Sequence, residues 1–452
     1  MSKGLLLLLF FIPVFAQAQI TEVTEEQKRM ALQKVTEFCS LLKQWSKGQR
    51  ILDAKIYALC SGNDCSAYDD VSTNKETTMR NYLLGIQKKY PRNLDMDISQ
   101  PTFSDCEIVY EPMMILFNTE ALTQGGQLYT KIQSYKNAYM VFSVSQTNIG
   151  RTESKKVIFD IKTKKITAFI KGDGTYISYL DGLTLITKRN YQTAIRKFLY
   201  AAQNNRASLQ KKCYTHAGYV YTLMGDYDNA IKYFNMSNVT LMSDMVKATR
   251  ASSSGDSQTA IGFLLQIEQR IKSSGEMTEQ LPYVYLMLGT IYYLGNSRKS
   301  ISYLELAAEK GLAASGYIIY KLTMISNIHG EGDFYDIVGD KAFQWLRWSA
   351  ERGYTPAFYD LGYYEQIVRK SETEAIRWFE YSAVAGNPMG MASYGKKLIE
   401  HGNKEEGKKW LKRALEGNTL DLYLKTYDNE IGLIYWPKSR HDVQTLLDGL
   451  MR

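Results

Sequence analysis

The chain of 452 residues has little proline, little histidine and few long apolar segments. Its eight prolines fit a mainly helical chain, because proline interrupts helices. None of its four histidines lies between residues 19 and 175, so this region lacks the commonest base active near neutral pH. The same absence, without a second close cysteine pair, disfavours a zinc site there. No apolar segment beyond the N-terminus is long enough to predict a transmembrane helix.

Sequence motifs of common enzymes are absent as well. The chain contains no HExxH metalloprotease motif, no P-loop and no calcium-binding loop. Its net charge of +8 is modest for the length, and no dense block of Lys and Arg is interleaved with aromatic residues. We therefore predict no catalytic residue, no cofactor, no metal and no nucleic-acid partner.

The N-terminus has the order of features that is typical of a secretory signal peptide. Lys3 supplies the positive charge, Leu5 to Phe15 form an apolar segment, and Ala16-Gln17-Ala18 fits the small-x-small cleavage rule. We predict that residues 1–18 are removed and that the mature chain begins near Gln19. The protein is then expected to be exported in soluble form, to the periplasm or to the outside of the cell.

Export affects how the five cysteines are interpreted. Cys60 and Cys65 flank a Ser-Gly-Asn-Asp segment with turn-forming residues, so they are candidates for a small-loop disulfide in an oxidising compartment. The alternative is a set of free buried thiols, since the four cysteines of the first third allow three full pairings. Cys213 stands alone later in the chain.

The region from 19 to 172 changes from a helical to a strand pattern. Helices are predicted over 24–46, about 49–59 and 74–90, the last with Asn74 as its N-cap. Alternating or β-branched segments then predict strands over 93–99, 106–118, 127–145 and 155–170, the last as a hairpin. Helices followed by strands predict an α+β domain in which a curved antiparallel sheet wraps the helices.

This element order resembles the cone-shaped fold of the nuclear-transport-factor-2-like superfamily. The segments Phe38 to Trp45 and Ile56 to Gly62 are also similar to exported bacterial versions of such domains. The resemblance implies a pocket at the open end of the cone, for which Tyr68, Asp69, Asp70 and Tyr110 are available by residue type. Solvated carboxylates and packed tyrosines are the favoured alternative interpretation of these four.

From residue 175 onward one helical pattern recurs. It reads Ala342-x-x-Trp345-Leu346-x-x-Ser349-Ala350, and copies begin at residues 194, 230, 260, 300, 342, 375 and 407. Offsets 0, 3, 4, 7 and 8 lie on one helix face, and small residues at 0, 7 and 8 allow another helix to approach. A period in the thirties predicts stacked helix pairs, with Trp345 and Trp378 both largely buried.

These copies resemble two repeat families. Gly218, Tyr221, Ala230, Phe234 and Ser237 have the spacing of the tetratricopeptide repeat. Later copies, which include the segments 349–357 and 382–388, resemble Sel1-like repeats. The resemblance implies an all-α solenoid over 175–436, which a terminal helix over 437–452 would cap with an inner stripe of Val443, Leu446, Leu447 and Leu450.

The predicted function is a non-enzymatic protein–protein interaction scaffold. The families resembled use the concave face of the solenoid to bind a protein or peptide, and the exposed tyrosines expected there are Tyr219, Tyr292 and Tyr363. His216 is expected to be a core or flanking residue rather than a ligand. The alternative function is a small-ligand-binding or hydrolytic protein that uses the cone pocket.

Overall fold

The structure is a computed structural model of the full chain. It describes residues 22–450 except for 63–64, 72, 113, 115–134, 173, 204–205, 294–295, 330–340, 417–419, 421–435 and 438. The predicted signal peptide lies outside the described residues, as do residues 115–134, which include the end of the predicted strand at 106–118 and the start of the one at 127–145.

The first part of the chain is an α+β arrangement. Its helices are α1 (Glu25–Ser46), α2 (Asp53–Leu59) and α3 (Met79–Lys89). Its strands are β1 (Ser66–Asp69), β2 (Lys75–Thr78), β3 (Met96–Ile98), β4 (Cys106–Pro112), β5 (Tyr135–Asn148), β6 (Arg151–Asp160) and β7 (Lys165–Lys171). Helix α1 begins as predicted, because Thr24 and Gln27 form a reciprocal capping box at its N-terminus.

The sheet is mixed rather than antiparallel. Its strand order is β2-β1-β7-β6-β5-β3, and β4 also pairs with β5. All pairs are antiparallel except β1 with β7, which run parallel through Ser66–Ala168 and Ala67–Phe169. The prediction of a purely antiparallel sheet was wrong because it missed β1, the strand that makes this parallel pair.

The predicted helix at 74–90 was wrong in its first turn. Residues Lys75–Thr78 form strand β2, and Thr78 rather than Asn74 caps α3 by accepting a hydrogen bond from the Asn81 amide. Asn74 instead has a φ of 53°, which suits the tight turn between β1 and β2. Pairing with β1 therefore prevails over the helical pattern of this segment.

The interior between these helices and the sheet is filled by apolar side chains. Phe38 and Trp45 of α1 are fully buried, as are Phe142 and Phe159 of the sheet. The Phe38 and Phe169 rings pack edge to face with centroids 5.8 Å apart. Three buried polar side chains of the sheet belong to the two clusters described below, namely Glu111, Gln146 and Lys155.

All described structure after residue 174 is helical apart from turns and termini. The helices are α4 (Thr175–Thr187), α5 (Tyr191–Ala201), α6 (Ala207–Leu223), α7 (Tyr227–Met236), α8 (Thr240–Ser253), α9 (Ser257–Ser274), α10 (Leu281–Tyr292), α11 (Ser297–Glu309), α12 (Ala313–His329), α13 (Lys341–Glu351), α14 (Pro356–Ile367), α15 (Glu372–Val384), α16 (Pro388–Glu400), α17 (Lys404–Ala414) and α18 (Arg440–Gly449). Consecutive helices pack in pairs: α4 with α5, α6 with α7, α10 with α11, α12 with α13, α14 with α15, and α16 with α17. This confirms an architecture of helical repeats.

The recurring pattern lies in the second helix of these pairs, and in α9. The first residue of every copy is buried, from Ala194 to Gly407. A glycine of the first helix faces the offset-4 residue in five pairs: Gly182 with Phe198, Gly218 with Phe234, Gly289 with Leu304, Gly362 with Phe379, and Gly395 with Leu411. A Cβ on any of these glycines would come within 2.5–3.2 Å of that side chain, so a larger residue would force the facing side chain or the helix to move.

The residue at offset 3 behaves differently from the residue at offset 4. Leu346 and Phe379 at offset 4 are buried, whereas Trp345 at offset 3 is only half-buried. Trp378 is 3% exposed, so the prediction of burial is confirmed for Trp378, and Trp345 is less completely buried than Trp378. In the copy that begins at Ala342, the ring of the offset-3 residue Trp345 packs against Trp348 of its own helix.

The described residues form two compact units that divide at Lys247, inside α8. The first unit therefore contains the sheet together with α4 to α7. Within it, the Arg206 guanidinium, just before α6, donates to the carbonyls of Cys65 and Thr77. The predicted domain boundary near 172–175 stays a prediction.

The second unit ends with α18. Val443 and Leu447 of this helix are buried, and Leu446 and Leu450 pack beside them against the same apolar cluster. This is the inner stripe that the sequence predicts. In the part of the chain that the structure describes, no helix combines the length and apolar character that crossing a membrane requires.

Candidate functional sites: stacked tyrosines and two buried charge clusters

A stacked pair of tyrosines occurs in two of the helix pairs. The rings of Tyr221 in α6 and Tyr233 in α7 are parallel to within 1°, with centroids 5.4 Å apart. The rings of Tyr292 in α10 and Tyr303 in α11 are parallel to within 4°, at 5.7 Å. All four side chains are half-buried. The second tyrosine of each pair is the offset-3 residue of the repeated pattern.

Each stacked pair has a third tyrosine one helical heptad earlier. Tyr214 lies 5.9 Å from Tyr233, and Tyr285 lies 6.0 Å from Tyr303, measured between ring centroids. We call the sets Tyr214–Tyr221–Tyr233 and Tyr285–Tyr292–Tyr303 the first and second tyrosine triads. Because the first triad lies in one compact unit and the second in the other, the same local geometry is built twice.

A lysine side chain accompanies each triad. The Lys232 ammonium lies 5.4 Å from the centre of the Tyr233 ring, and the Lys299 ammonium lies 5.1 Å from that of Tyr292. Both lysines are solvent-exposed. Cation–π contact of this kind holds a positive charge beside the half-exposed rings.

The three tyrosines predicted to bind a partner have different environments. Tyr292 is half-buried and belongs to the second triad. Tyr363 is half-buried and packs against an apolar cluster of α14 to α18, where burial raises its pKa. Tyr219 is only 7% exposed, so its prediction as an exposed anchor was wrong. The reason is that α6 packs against both α5 and α7 and also contacts the sheet, so few of its residues face solvent.

The first buried charge cluster surrounds Asp70 and Lys155. The Lys155 ammonium lies 3.3 Å from Asp70 Oδ1 and donates to the Tyr68 carbonyl at 3.1 Å. Gln146 and Asn148 donate to Asp70 Oδ2 at 3.2 and 2.9 Å. Burial lowers the pKa of Lys155, while Asp70 opposes that change.

Three oxygen atoms beside the Asp70–Lys155 ion pair are buried without a hydrogen-bond donor: Gln146 Oε1, Asn148 Oδ1 and Glu153 Oε2. Gln146 also donates to the buried hydroxyl of Tyr82 in α3, which places the cluster on the helix-facing side of the sheet. All three atoms are acceptors, so the group that would satisfy them is a hydrogen-bond donor.

Of the four pocket candidates named from the sequence, two belong to this cluster. Asp70 is its central carboxylate, and the Lys155 and Lys171 ammonium groups lie 4.9 and 4.5 Å from the centre of the Tyr68 ring. Asp69 has a structural role, because its carboxylate accepts from the Val71 and Thr73 amides and closes a turn.

Tyr110, the fourth candidate, has other contacts. Its hydroxyl accepts a hydrogen bond from the Val23 amide at 3.3 Å, and its ring packs on Tyr135 at 4.4 Å. It therefore helps to attach the start of the described chain to β4. Lys155 and Gln146 were missed because strand patterns do not report a partner that lies far away in sequence.

The second buried charge cluster lies where α6 meets β4 and β5. Glu111 Oε1 is 3.5 Å from His216 Nε2, and Glu111 Oε2 accepts from the Tyr139 hydroxyl at 2.9 Å. The Lys212 ammonium donates to the same hydroxyl at 3.3 Å. His216 is 1% exposed, which confirms it as a core residue. Among the described residues, no group of three or more His, Cys, Asp and Glu side chains is placed to hold a metal ion.

Charges and burial act in opposite directions on this cluster. Burial lowers the pKa of His216 below 6.5, although Glu111 opposes the change. Burial would raise the pKa of Glu111, but the charges of His216, Lys136 and Lys212 lower it overall. The two groups act on each other across this contact, because a positive charge on His216 favours an ionised Glu111 and an ionised Glu111 favours a proton on His216.

The predicted disulfide partners lie side by side as free thiols. Cys60 and Cys65 are both buried, and contact with Cys60 together with burial raises the pKa of Cys65 well above 9.0. The structure thus has free buried thiols, which is the alternative that the sequence left open. The disulfide stays a prediction for the exported protein. Cys213 is fully buried, and burial raises its pKa to about 12.

Comparison with known proteins finds similarity only to solved structures. No known protein-family profile matches the chain, and no curated protein sequence matches it. A Sel1 repeat protein from Oxalobacter formigenes shares 18% identity, covers 57% of this chain and 78% of its own, and has a TM-score of 0.38.

Two further structures give similar figures. The antigen c5321 of uropathogenic Escherichia coli, described as having an SLR fold, shares 16% identity over 61% of this chain and 68% of its own, with a TM-score of 0.29. The apo form of RapI shares 15% identity over 56% of this chain and 99% of its own, with a TM-score of 0.34. These are partial likenesses, and the helical repeats described above rest on the contacts of this chain itself.

Proposed function

We propose that the protein is a non-enzymatic interaction scaffold that binds a protein or peptide partner through the half-exposed rings of its helical repeats. One observation carries this proposal, which is the parallel tyrosine pair that recurs in two helix pairs, Tyr221 with Tyr233 and Tyr292 with Tyr303. Because the same ring geometry recurs in two compact units, we infer that these rings form a binding surface in addition to packing locally.

Helix packing does not account for these rings. The pairs are held by the small residue at offset 0 and the buried residue at offset 4, such as Ala230 with Phe234 and Ser300 with Leu304. Tyr233 and Tyr303 at offset 3 remain half-exposed. Tyrosines fixed by stacking lose little conformational entropy on binding, which is why tyrosine is common at binding surfaces.

Site-specific photocrosslinking in the native host tests this proposal. A benzophenone side chain at Tyr303 is expected to give a discrete adduct with one partner, and Tyr292→Ala in the same chain is expected to abolish it. The matched control places the probe at Tyr200, which is 49% exposed in α5 and lies outside both triads. Identical adducts from positions 200 and 303 would contradict the proposal.

We further propose that the scaffold is exported, to the periplasm or out of the cell. Lys3, the apolar segment after it and the Ala16-Gln17-Ala18 cleavage pattern support this. N-terminal sequencing of protein from its native host is expected to begin near Gln19. Recovery of an intact Met1 from the envelope fraction would contradict export by this signal.

We also propose that the α+β part belongs to the nuclear-transport-factor-2-like superfamily. Support comes from the order of three helices among seven strands and from the parallel pairing of β1 with β7 across an otherwise antiparallel sheet. A crystal structure in which β1 does not pair with β7 would contradict this assignment.

A second function is favoured by the Asp70 cluster, namely binding of a small hydrogen-bond donor at the polar end of this α+β part. The observation behind it is the set of buried acceptor oxygens around Asp70, Gln146 and Asn148. Saturation-transfer NMR with small amines and polyols is the measurement. Signals that disappear in Asp70→Asn but persist in Asp95→Asn, an exposed control, support it, and equal signals in both variants contradict it.

A further inference from the structure

The inward face of the sheet begins with an apolar row. Phe142 of β5 pairs with Val157 of β6, which in turn pairs with Phe169 of β7. All three side chains are fully buried in the interior between the sheet and the helices. Because alternate residues of a strand face the same side, every second residue of β5 and β6 from this row toward the turn between them also faces inward.

Polar side chains occupy the inward positions closer to that turn. Lys155 of β6 is fully buried and lies across from Lys171 of β7. Gln146 of β5 is 1% exposed and lies across from Glu153 of β6, and Asn148 follows on the same face of β5. The three strands thus place five polar side chains together next to the apolar row.

The charged groups of this region are already paired with one another. The Lys155 ammonium lies 3.3 Å from Asp70 Oδ1, and the Lys171 ammonium lies 3.2 Å from Glu153 Oε1. Two lysines and two carboxylates therefore leave no net charge among these four side chains. A ligand that brought its own charge would find no unpaired counter-charge among them, and burying an unpaired charge is costly.

Asp70 fixes the direction of two amide groups. Gln146 and Asn148 donate from their amide nitrogens to Asp70 Oδ2, at 3.2 and 2.9 Å. Because a carboxylate accepts hydrogen bonds, this contact holds each amide with its nitrogen toward Asp70 and its oxygen away from it. Gln146 Oε1 and Asn148 Oδ1 are buried without a donor, and so is Glu153 Oε2. A molecule that supplies several hydrogen-bond donors would satisfy all three acceptors.

We propose that the site around these three acceptors binds a neutral polyol, whose hydroxyl groups donate to Gln146 Oε1, Asn148 Oδ1 and Glu153 Oε2. This inference rests on the second proposed function, the binding of a small hydrogen-bond donor at the same cluster, and it names the ligand class. A hydroxyl group also accepts hydrogen bonds, so the ligand can receive one from the half-buried Lys171 ammonium. An ammonium ligand would add a third positive charge, and an anionic ligand would bring further acceptors against the three already there.

The ligand reaches the acceptors from the turn that joins β5 and β6. Ile149 in this turn is 66% exposed, and Asn148 and Glu153 beside it are half-buried. Because the acceptor atoms are closed to solvent, the side chain of Asn148 or Glu153 rotates to admit the ligand. Gln146 and Lys155 are almost completely buried, so they keep their positions and form the inner wall of the site.

Three probes with the same three-carbon frame and different charge test the ligand class, namely glycerol, the aminodiol serinol and glycerate. Saturation-transfer NMR titrations of the full-length protein at neutral pH and constant ionic strength give the dissociation constant of each. Glycerol is expected to bind at least about tenfold more tightly than the other two, because their unpaired charge must be desolvated. Binding of serinol or glycerate as tight as that of glycerol would overturn the neutral class and leave the second proposed function standing. Absence of binding by all three probes would overturn both.

Opposite changes to one ion pair are expected to change the preference in opposite directions. Glu153→Gln leaves the Lys171 ammonium unpaired, so the site becomes positive and glycerate is expected to bind more tightly than glycerol. Lys171→Met leaves the Glu153 carboxylate unpaired, so serinol is expected to bind most tightly. Both positions are half-buried, and if one variant does not fold, the other still tests the proposal.

The matched control is Glu107→Gln. Glu107 is an exposed residue of β4 and lies outside the cluster, so this variant is expected to keep the wild-type preference for glycerol. A preference for glycerol that persists in folded Glu153→Gln or Lys171→Met would overturn the proposal, as would a changed preference in Glu107→Gln.

Discussion

Gly289 of α10 lies so close to Leu304 of α11 that a Cβ on the glycine would be 2.6 Å from Leu304 Cγ. We expect Gly289→Ala to lower the free energy of unfolding of its helix pair by about 1–3 kcal/mol, because the two helices must separate. Urea unfolding followed by circular dichroism measures the change.

A control for this prediction lies in α9. Gly262 is also helical, but a Cβ there would meet nothing within 4 Å. Gly262→Ala is expected to stabilise the protein by up to about 1 kcal/mol, because alanine favours a helix more than glycine does. A loss of stability similar to that of Gly289→Ala would show that close approach is not the cause.

The two tryptophans of consecutive copies are expected to differ. Trp378→Ala removes a side chain that is 3% exposed and should cost roughly 3–5 kcal/mol. Trp345→Ala should cost less, because its side chain is less completely buried. Urea unfolding of both variants makes the comparison, and equal losses would contradict the different burial of the two positions.

Asp70 is the counter-charge of a fully buried lysine, so its replacement should be costly. Asp70→Asn leaves Lys155 without compensation and should lower the free energy of unfolding by about 3–5 kcal/mol. The double variant Asp70→Asn with Lys155→Met should regain much of that loss. Thermal and urea unfolding provide the values.

The control for the charge pair is Asp95→Asn. Asp95 is 95% exposed and lies 3.9 Å from Lys47, so its removal should change stability by less than about 0.5 kcal/mol. If the double variant were less stable than Asp70→Asn alone, Lys155 would stabilise the fold through contacts other than the one with Asp70.

The cysteines are expected to differ in how fast they are alkylated in the folded protein. Burial raises the pKa of Cys106 to about 11 and those of Cys39 and Cys213 to about 12. Since the thiolate is the reactive form, Cys106, which is partly exposed, should react first at pH 8, and Cys39 and Cys213 only after unfolding.

The same mass-spectrometric experiment addresses Cys60 and Cys65. In protein taken from the envelope without reductant, we expect the peptides of both cysteines to be linked and unlabelled. The small loop between them limits any stabilisation to the lower end of about 2–4 kcal/mol. Labelling of both thiols after unfolding, without prior reduction, would exclude the disulfide.

The helical part was predictable from the sequence because its signal is local and repeated. Each copy restates the same spacing, so Ala194, Ala230 and the later first residues were all assigned correctly to buried positions. Which side of a first helix faces solvent was not predictable in the same way. Tyr219 is buried because α6 also contacts the sheet, and the apolar periodicity of α6 does not indicate that contact.

The sheet and the charge clusters depend on contacts that are distant in sequence. Strands β1 and β2 have four residues each, too few for a clear alternating pattern. Lys155 contacts the Tyr68 carbonyl, 87 residues earlier, and β6 alone predicts only that some of its residues face inward. Only the topology of the whole sheet brings Asp70, Gln146 and Lys155 together.

Offsets 3 and 4 of the repeated pattern have different roles, and this affects how the sequence of such a chain can change. Glycine and the offset-4 side chain fix the distance between paired helices, while the offset-3 rings of Tyr233 and Tyr303 stay partly accessible. Substitutions at offset 3 of these two copies can therefore alter binding preference and leave the helix spacing intact. The recognition residues of one repeat can therefore be replaced by those of another repeat. The two tyrosine triads are suitable positions for such a replacement.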